Sequence, residues 1–228
     1  DIPHYPESTE TSRTTDHLVN WQFRRRIRSG KYVTKDFAFD QPKRDLLVQT
    51  DGTTAGNYPS QEIYDYPGGY PSGANGEMTR SYGTRLAATR MQALSADHEV
   101  ASADGNVRGL GAGNVFTLSN CERADQNREY LVLYAALRIQ MDSFYSGSGG
   151  GSVELESSFR CMPSNVPFRP RCKTPKPEIR GPQTAIVVGA AGEEIWTDQY
   201  GRVKLQFHWD RYGQSNETSS CWVRVSQA

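Results

Sequence analysis

Residues 181–226 place the tightest constraint on what this chain can fold into. Val203, Leu205, Phe207 and Trp209 alternate there with Lys204, Gln206, His208 and Asp210. Successive side chains of a strand point to opposite faces, so this is a strand with an apolar core face and a polar one. Asp198-Gln199-Tyr200-Gly201 just before it reads as a turn, with Gly201 free to take the positive φ that turns often need. That spacing predicts a hairpin in which residues 195–197 pair back onto 202–207. Residues 184–188 and 222–225 are two further β-rich runs. Short strands with glycine turns and aromatics fit a small barrel, here with too few strands to close.

Length and charge narrow the alternatives. With 228 residues the chain can form one large domain or two modest ones. Lys plus Arg and Asp plus Glu are both 26, and this zero net charge argues against whole-surface attraction to nucleic acid or anionic membrane. A hydrophobic share of 36% with a mean hydropathy of −0.69 predicts a thin core under much polar surface. No apolar run approaches the roughly 20 residues of a membrane span, and no charged-then-apolar leader opens the chain. The first residue is Asp, so the chain reads as an excerpt of a longer protein.

Taken in order, the chain predicts a mostly-β (α+β) architecture. Residues 1–16 form an entering loop, and 18–28 a strand with Trp21, Phe23 and Ile27 on one face. Gln22, Arg24, Arg26 and Arg28 share the other face, either a phosphate-binding row or, more ordinarily, a solvated or interfacial one. Residues 32–39 are a further strand and 46–48 a short apolar run. The aromatic, proline-rich 64–71 reads as a surface excursion. Residues 77–97 form the one helix, N-capped near Asn75, with Met78, Tyr82, Leu86, Ala93 and Leu94 on one side and Gly83 as a weak point. Strands return at 98–103, 115–119, 129–141 and 153–159, with 130–139 apolar enough for burial on both faces. Residues 146–152, S-G-S-G-G-G-S, are a hairpin tip or an inserted linker. Residues 161–182 hold six prolines and mark a semi-rigid, basic connector. The expected units are therefore 1–160, a connector at 161–182, and a truncated barrel at 183–228.

Chemistry is sparse. Gly109-Leu110-Gly111-Ala112-Gly113 precedes a strand and lacks the Lys-Ser/Thr of a phosphate loop, so it reads as a β-turn. There is no G-x-S-x-G elbow, and His4, His17, His98 and His208 are scattered. His208 shares the polar face with Asp210, with Asp198 nearby, which fits a surface pair better than an acid–base couple. Cys121, Cys161, Cys172 and Cys221 contain no C-x-x-C, so a zinc site has little support. Cys161 and Cys172 bracket the proline-rich loop, either as a disulfide or as free thiols. The expectation is no catalytic, cofactor-binding or metal residue. The rival reading is an OB-type nucleic-acid module stacking bases on Trp196, Tyr200, Phe207, Trp209, Tyr212 and Trp222. Residues 181–228 carry four basic against five acidic residues, the wrong balance for tracking phosphates.

E-E-I-W-T-D-Q-Y-G-R-V-K-L-Q-F-H-W-D-R followed by S-S-C-W-V-R-V-S-Q resembles the start of the OB-fold domain of VgrG proteins. D-F-A-F-D-Q-P at 36–42, I-Y-D-Y-P-G at 63–68 and V-R-G-L-G-A-G-N-V-F-T-L at 107–118 resemble the later part of the hub domain of that family. R-P-R-C-K-T-P-K-P-E-I-R-G-P-Q-T-A at 169–185 resembles its connector. The likeness departs at 120–128, where the family often has a His-Pro pair, and at Cys161 and Cys172. It implies a β-barrel-type phage-tail-hub domain with one flanking helix and an incomplete OB-fold barrel. It further implies no enzyme but a structural part of the trimeric type VI secretion spike, related to contractile phage hubs. The implied partners are two further copies, the Hcp tube, a PAAR-type tip protein and secreted effectors. The implied location is the bacterial cytoplasm during assembly, then delivery through a target membrane that is punctured mechanically.

Overall fold

A computed structural model describes residues 1–6, 15–39, 41–52, 58–70, 80–141, 153–193 and 195–226. The chain divides into two units, Asp1–Lys173 and Thr174–Ala228.

The first unit holds two sheets and a helix. Its strands are β1 (Ile2–Pro3), β2 (Leu18–Arg25), β3 (Ser29–Thr34), β4 (Val48–Asp51) and β5 (Tyr58–Asp65), followed by helix α1 (Arg80–Ala96). Then come β6 (Glu99–Gly105), β7 (Val115–Ser119), β8 (Glu129–Met141) and β9 (Val153–Pro163). Six strands order as β1-β7-β8-β9-β6-β2, antiparallel except for β1 with β7. The two edges of this sheet meet. His4 bridges Leu18, and the Tyr5 N–H donates to the Leu18 carbonyl at 2.9 Å, so the sheet rolls into a barrel-like curl. Leu18, Ala101, Phe116, Leu118, Val132 and Phe159 fill its interior around Tyr130, itself fully buried. Trp21 meets the Tyr130 ring edge-on at 4.9 Å and Phe116 stacks on it at 5.9 Å. The phenol donates to the buried Gln126 through its carbonyl or Oε1, so this large core residue leaves no polar atom unsatisfied.

The second sheet orders as β4-β3-β5, with β5 parallel to β3, and α1 packs on β3 and β4. This corrects the reading of 64–71 as a surface excursion. Residues through Asp65 are strand, and Tyr70 is a core residue only 3% exposed. Its hydroxyl lies within bonding distance of the Thr34 and Leu46 carbonyls (3.1 and 3.0 Å), and its N–H donates to Asp36 Oδ2 at 3.0 Å. Asp36 also accepts the Phe37 N–H, which ends β3 before the expected residue 39. The expected helix is present from Arg80, while Asn75 and residues 77–79, Met78 among them, lie outside the described residues. Its buried face is Gly83, Ala87 and Met91 with Ala93, Ser95 and Ala96, and Leu86 and Leu94 are only half-buried. A face of small residues escapes a search for large apolar ones. Ile27 falls beyond the end of β2 and is 70% exposed, not on the apolar face. In β8 only Tyr130 and Val132 are buried. Past an irregularity between Val132 and Tyr134 the strand leaves the core, so the expected burial of 130–139 on both faces does not hold.

The second unit contains β10 (Ala185–Val188) and β11 (Lys204–Phe207). They pair antiparallel from Ala185 with Phe207 to Val188 with Lys204, and Val203 and Val223 exchange two backbone bonds. The Asp198–Gly201 turn forms as expected, with Gly201 at φ 67°. The expected hairpin partner at 195–197 does not. Trp196 crosses Gly189, where a Cβ would sit 2.6 Å from its own, and stacks on Trp222 instead. The most buried side chain of β11 is polar, and Trp209 falls in the turn beyond the strand. Gln206 is 9% exposed, its amide donating to the Phe207 and Asp210 carbonyls and accepting from the Ser215 N–H, whereas Trp209 is 56% exposed. An amide saturated by a loop's backbone buries without penalty.

The position of Gly83 explains its presence in a helix. A Cβ there would lie 2.5 Å from the Tyr70 ring. Gly83→Ala should therefore lower stability by about 1–3 kcal/mol through overpacking, against a propensity gain of about 1 kcal/mol at most. Denaturant unfolding checks the sign, which helix propensity alone would reverse.

Candidate functional site

The histidines stay apart. His4 lies in the barrel seam, 9% exposed, with no partner for Nδ1 among the described residues. His17 Nδ1 meets the Thr15 carbonyl at 2.8 Å, His98 Nδ1 meets that of Arg26 at 2.7 Å, and His208 sits exposed in a turn. No hydrogen bond joins His208 to Asp210 among the described residues. Asp210 Oδ1 instead accepts the Tyr212 and Gly213 N–H groups, and Asp198 binds the N–H groups of Tyr200 and Arg202 together with the Arg202 guanidinium. These carboxylates hold their own loops. Residues 111–114 form a turn, with the Asn114 N–H donating to the Gly111 carbonyl at 3.1 Å.

All four cysteines are free, Cys161 buried and Cys172 exposed, so no disulfide joins them. Burial pushes the Cys161 thiol up to about 12, and its Sγ contacts the Ala101 carbonyl at 3.7 Å, the environment of an inert thiol. Among the described residues no group of three His, Cys, Asp or Glu is placed to hold a metal ion. The rings of the second unit face one another: Trp196 on Trp222 at 4.7 Å and Phe207 on Trp209 at 5.0 Å, with Lys204 over Trp222.

The arginines act locally. Arg24 and Arg26 are exposed, while Arg28 Nη2 lies 3.3 Å from Asp97 Oδ2, just past the end of α1. Arg171 engages the same carboxylate, and Arg169 Nε donates to Gln92 Oε1 at 3.0 Å. The first basic residues of the proline-rich segment are thus fastened to the last turns of the helix. β9 runs through Pro163, so the segment begins later than its composition implies. Asp97 and Gln92 carried no signal in the sequence, because each has a role only through residues 69 or more positions away.

The clearest uncovered surface is the ribbon of β8 and β9. Cross-strand pairing puts Ala135 with Phe159, Leu137 with Ser157, Ile139 with Leu155 and Met141 with Val153 on one face. That face continues the core outward, and Leu137, Ile139, Met141 and Val153 are 51–66% exposed on it. The opposite face carries Arg138 paired with Glu156, and Gln140 opposite Glu154. Residues 146–152, expected as a hairpin tip or an inserted linker, lie outside the described residues.

Comparison with known proteins agrees across this chain. Residues 1–143 match the phage tail baseplate hub (GPD) family. The type VI secretion system spike proteins VgrG1c and VgrG1a of Pseudomonas aeruginosa are each 46% identical over 230 aligned residues. The alignment covers 100% of this chain but 30% and 34% of those relatives. The spike protein VgrG3 of Vibrio cholerae is 34% identical over 213 residues, covering 92% of this chain and 20% of its own. The chain thus spans about a third of the length of these relatives or less.

Two outcomes test the geometry. Burial lowers the His4 pKa, so its contribution to stability is complete above the unfolded value of 6.5 and lost as pH falls below it. Thermal melts of the wild type should drop over that acid range, and those of His4→Phe should drop less. Asp97→Ala should raise the rate of tryptic cleavage after Arg171 several-fold, read by mass spectrometry, with circular dichroism unchanged.

Proposed function

The chain belongs to the phage tail baseplate hub family, and from that premise we propose that it serves as a structural part of a type VI secretion spike. The observation that carries this reading is the match of the whole chain, at 46% identity, to spike proteins of that system. Three copies form the needle base on the Hcp tube, and the assembly, with a PAAR-type tip and attached effectors, is driven through a target membrane. The work is mechanical. The protein is made and assembled in the bacterial cytoplasm and leaves through the secretion apparatus. Units 1–160 and 183–228 correspond to the later hub domain and the first strands of an OB-fold barrel, joined by 161–182.

Physical features support the trimer. The apolar ribbon face extends the core into solvent, and such a patch favours a protein neighbour. The oppositely charged face does not. No helix among the described residues is long and apolar enough to cross a membrane.

The hub family description also fits a contractile phage particle. Neighbouring genes for a secretion baseplate, rather than for virion structural proteins, separate the two. Light scattering on the full-length protein should give a trimer. Leu137→Asp with Ile139→Asp should weaken the trimer by at least about tenfold. A wild-type monomer at micromolar concentration would falsify the reading.

A further inference from the structure

A groove of about 890 Å³ opens where α1 crosses the end of the six-stranded sheet, between Arg25–Ile27, the end of β4 and residues 162–167. Such a volume lies in the range of ligand-binding clefts. Its floor is apolar: Met91 and Met162 are 2% and 0% exposed, and Ala88 and Val166 flank them. Its rim is cationic. Glu99, which lines it, is engaged by Arg25 Nε at 3.2 Å and by Arg128, and Asp51, which also lines it, pairs with Lys31 at 3.9 Å. Both acids therefore already have a cation. Arg26 lines the groove too, exposed and without an acidic partner among the described residues. A guanidinium carries five N–H donors, so Arg25 and Arg128 keep donors beyond those that reach Glu99.

Two further groups face an incoming chain. His98, 6% exposed, lines the groove with Nδ1 taken by the Arg26 carbonyl at 2.7 Å. A carbonyl only accepts, so the ring donates from Nδ1 and Nε2 is left for a ligand. β4 is an edge strand, and the Gly52 N–H donates to the Gly30 carbonyl at 2.7 Å. Main-chain bonds alternate along an antiparallel pair, so the N–H and C=O of Asp51 point away from β3 at the groove wall. A free anion has no use for such an edge. An extended polypeptide pairs with it.

We propose that this groove docks an extended acidic peptide segment of a partner protein. Its carboxylates meet Arg26 and the remaining N–H groups of Arg25 and Arg128. Its apolar side chains lie over Met91 and Met162, and its backbone runs beside Asp51. Charge complementarity selects this occupant over a basic or neutral peptide. The proposal goes beyond the spike reading and does not depend on it.

Fluorescence anisotropy on the 228-residue chain tests it, with a labelled octapeptide alternating leucine and glutamate and a matching one of leucine and lysine. The acidic peptide should bind saturably and the basic one should not. Arg26→Glu and Ile27→Asp, both at exposed positions, should each weaken binding at least tenfold with unchanged circular dichroism, and Arg180→Glu should leave it as it is. Equal binding of the two peptides, or wild-type affinity in Arg26→Glu, overturns the proposal. So does displacement by free glutamate at matched carboxylate concentration, the mark of a small-anion site, or tighter binding of a single-stranded oligonucleotide.

Discussion

The contact of the Tyr70 ring with Gly83 is the one on which the placement of α1 against the three-stranded sheet depends. The ring occupies the space a Cβ would take, and its hydroxyl reaches two main-chain carbonyls, from Thr34 and Leu46. A single side chain thereby ties α1, the end of β3 and the approach to β4 together. Because the helix is held at that distance, Ala88 and Met91 come to lie over the end of the six-stranded sheet, where they form one side of the groove. The same placement carries Asp97 to Arg28 and Arg171. A side chain at residue 83 would move all of these at once.

Buried polar groups play the same part elsewhere. Tyr130 in the barrel and Gln206 in the second unit are buried, and each meets main-chain or amide groups within hydrogen-bond distance. A buried group left without partners costs about 1–3 kcal/mol, so an arrangement that satisfies it is favoured over near alternatives. Here, polar residues define where loops sit while apolar residues supply the driving force. The Gln126 turn and the 207–215 loop are both positioned this way.

What the sequence made legible follows from this division. β7 and β8 were readable to the residue because their apolar runs are bounded by turn residues. The Asp198–Gly201 turn was readable because its chemistry is local. The helix α1 was readable as an element, but of its buried face only Ala93 was, with Leu86 and Leu94 partly buried beside it, since Gly83 and Ala87 contribute shape rather than hydrophobicity. Tyr70 was lost among prolines and glycines because its partners, Thr34, Leu46 and Gly83, are distant in the chain. Period-two alternation carried the strand on through Trp209 and assigned Phe207 and Trp209 to the core, whereas β11 ends at Phe207 and Trp209 lies in the turn beyond, stacked on Phe207. Alternation says which residues share a side, and only packing says which side is covered. Likeness to the hub and spike proteins came from whole motifs, so it survived these local errors.

The apolar ribbon and the groove of the first unit answer to opposite forces. The ribbon face of Leu137, Ile139, Met141 and Val153 carries no charge, so association through it is strengthened by salts that are excluded from protein surfaces. The groove combines an apolar floor with Arg25, Arg26 and Arg128, whose reach in solution is limited to about 8 Å at physiological ionic strength. Contacts there weaken as salt rises. A chain with 26 basic and 26 acidic residues has no long-range field to favour either partner. Under the proposed trimer and peptide docking, selectivity resides in these local patches: apolar area for the former, and short-range guanidinium contacts for the latter.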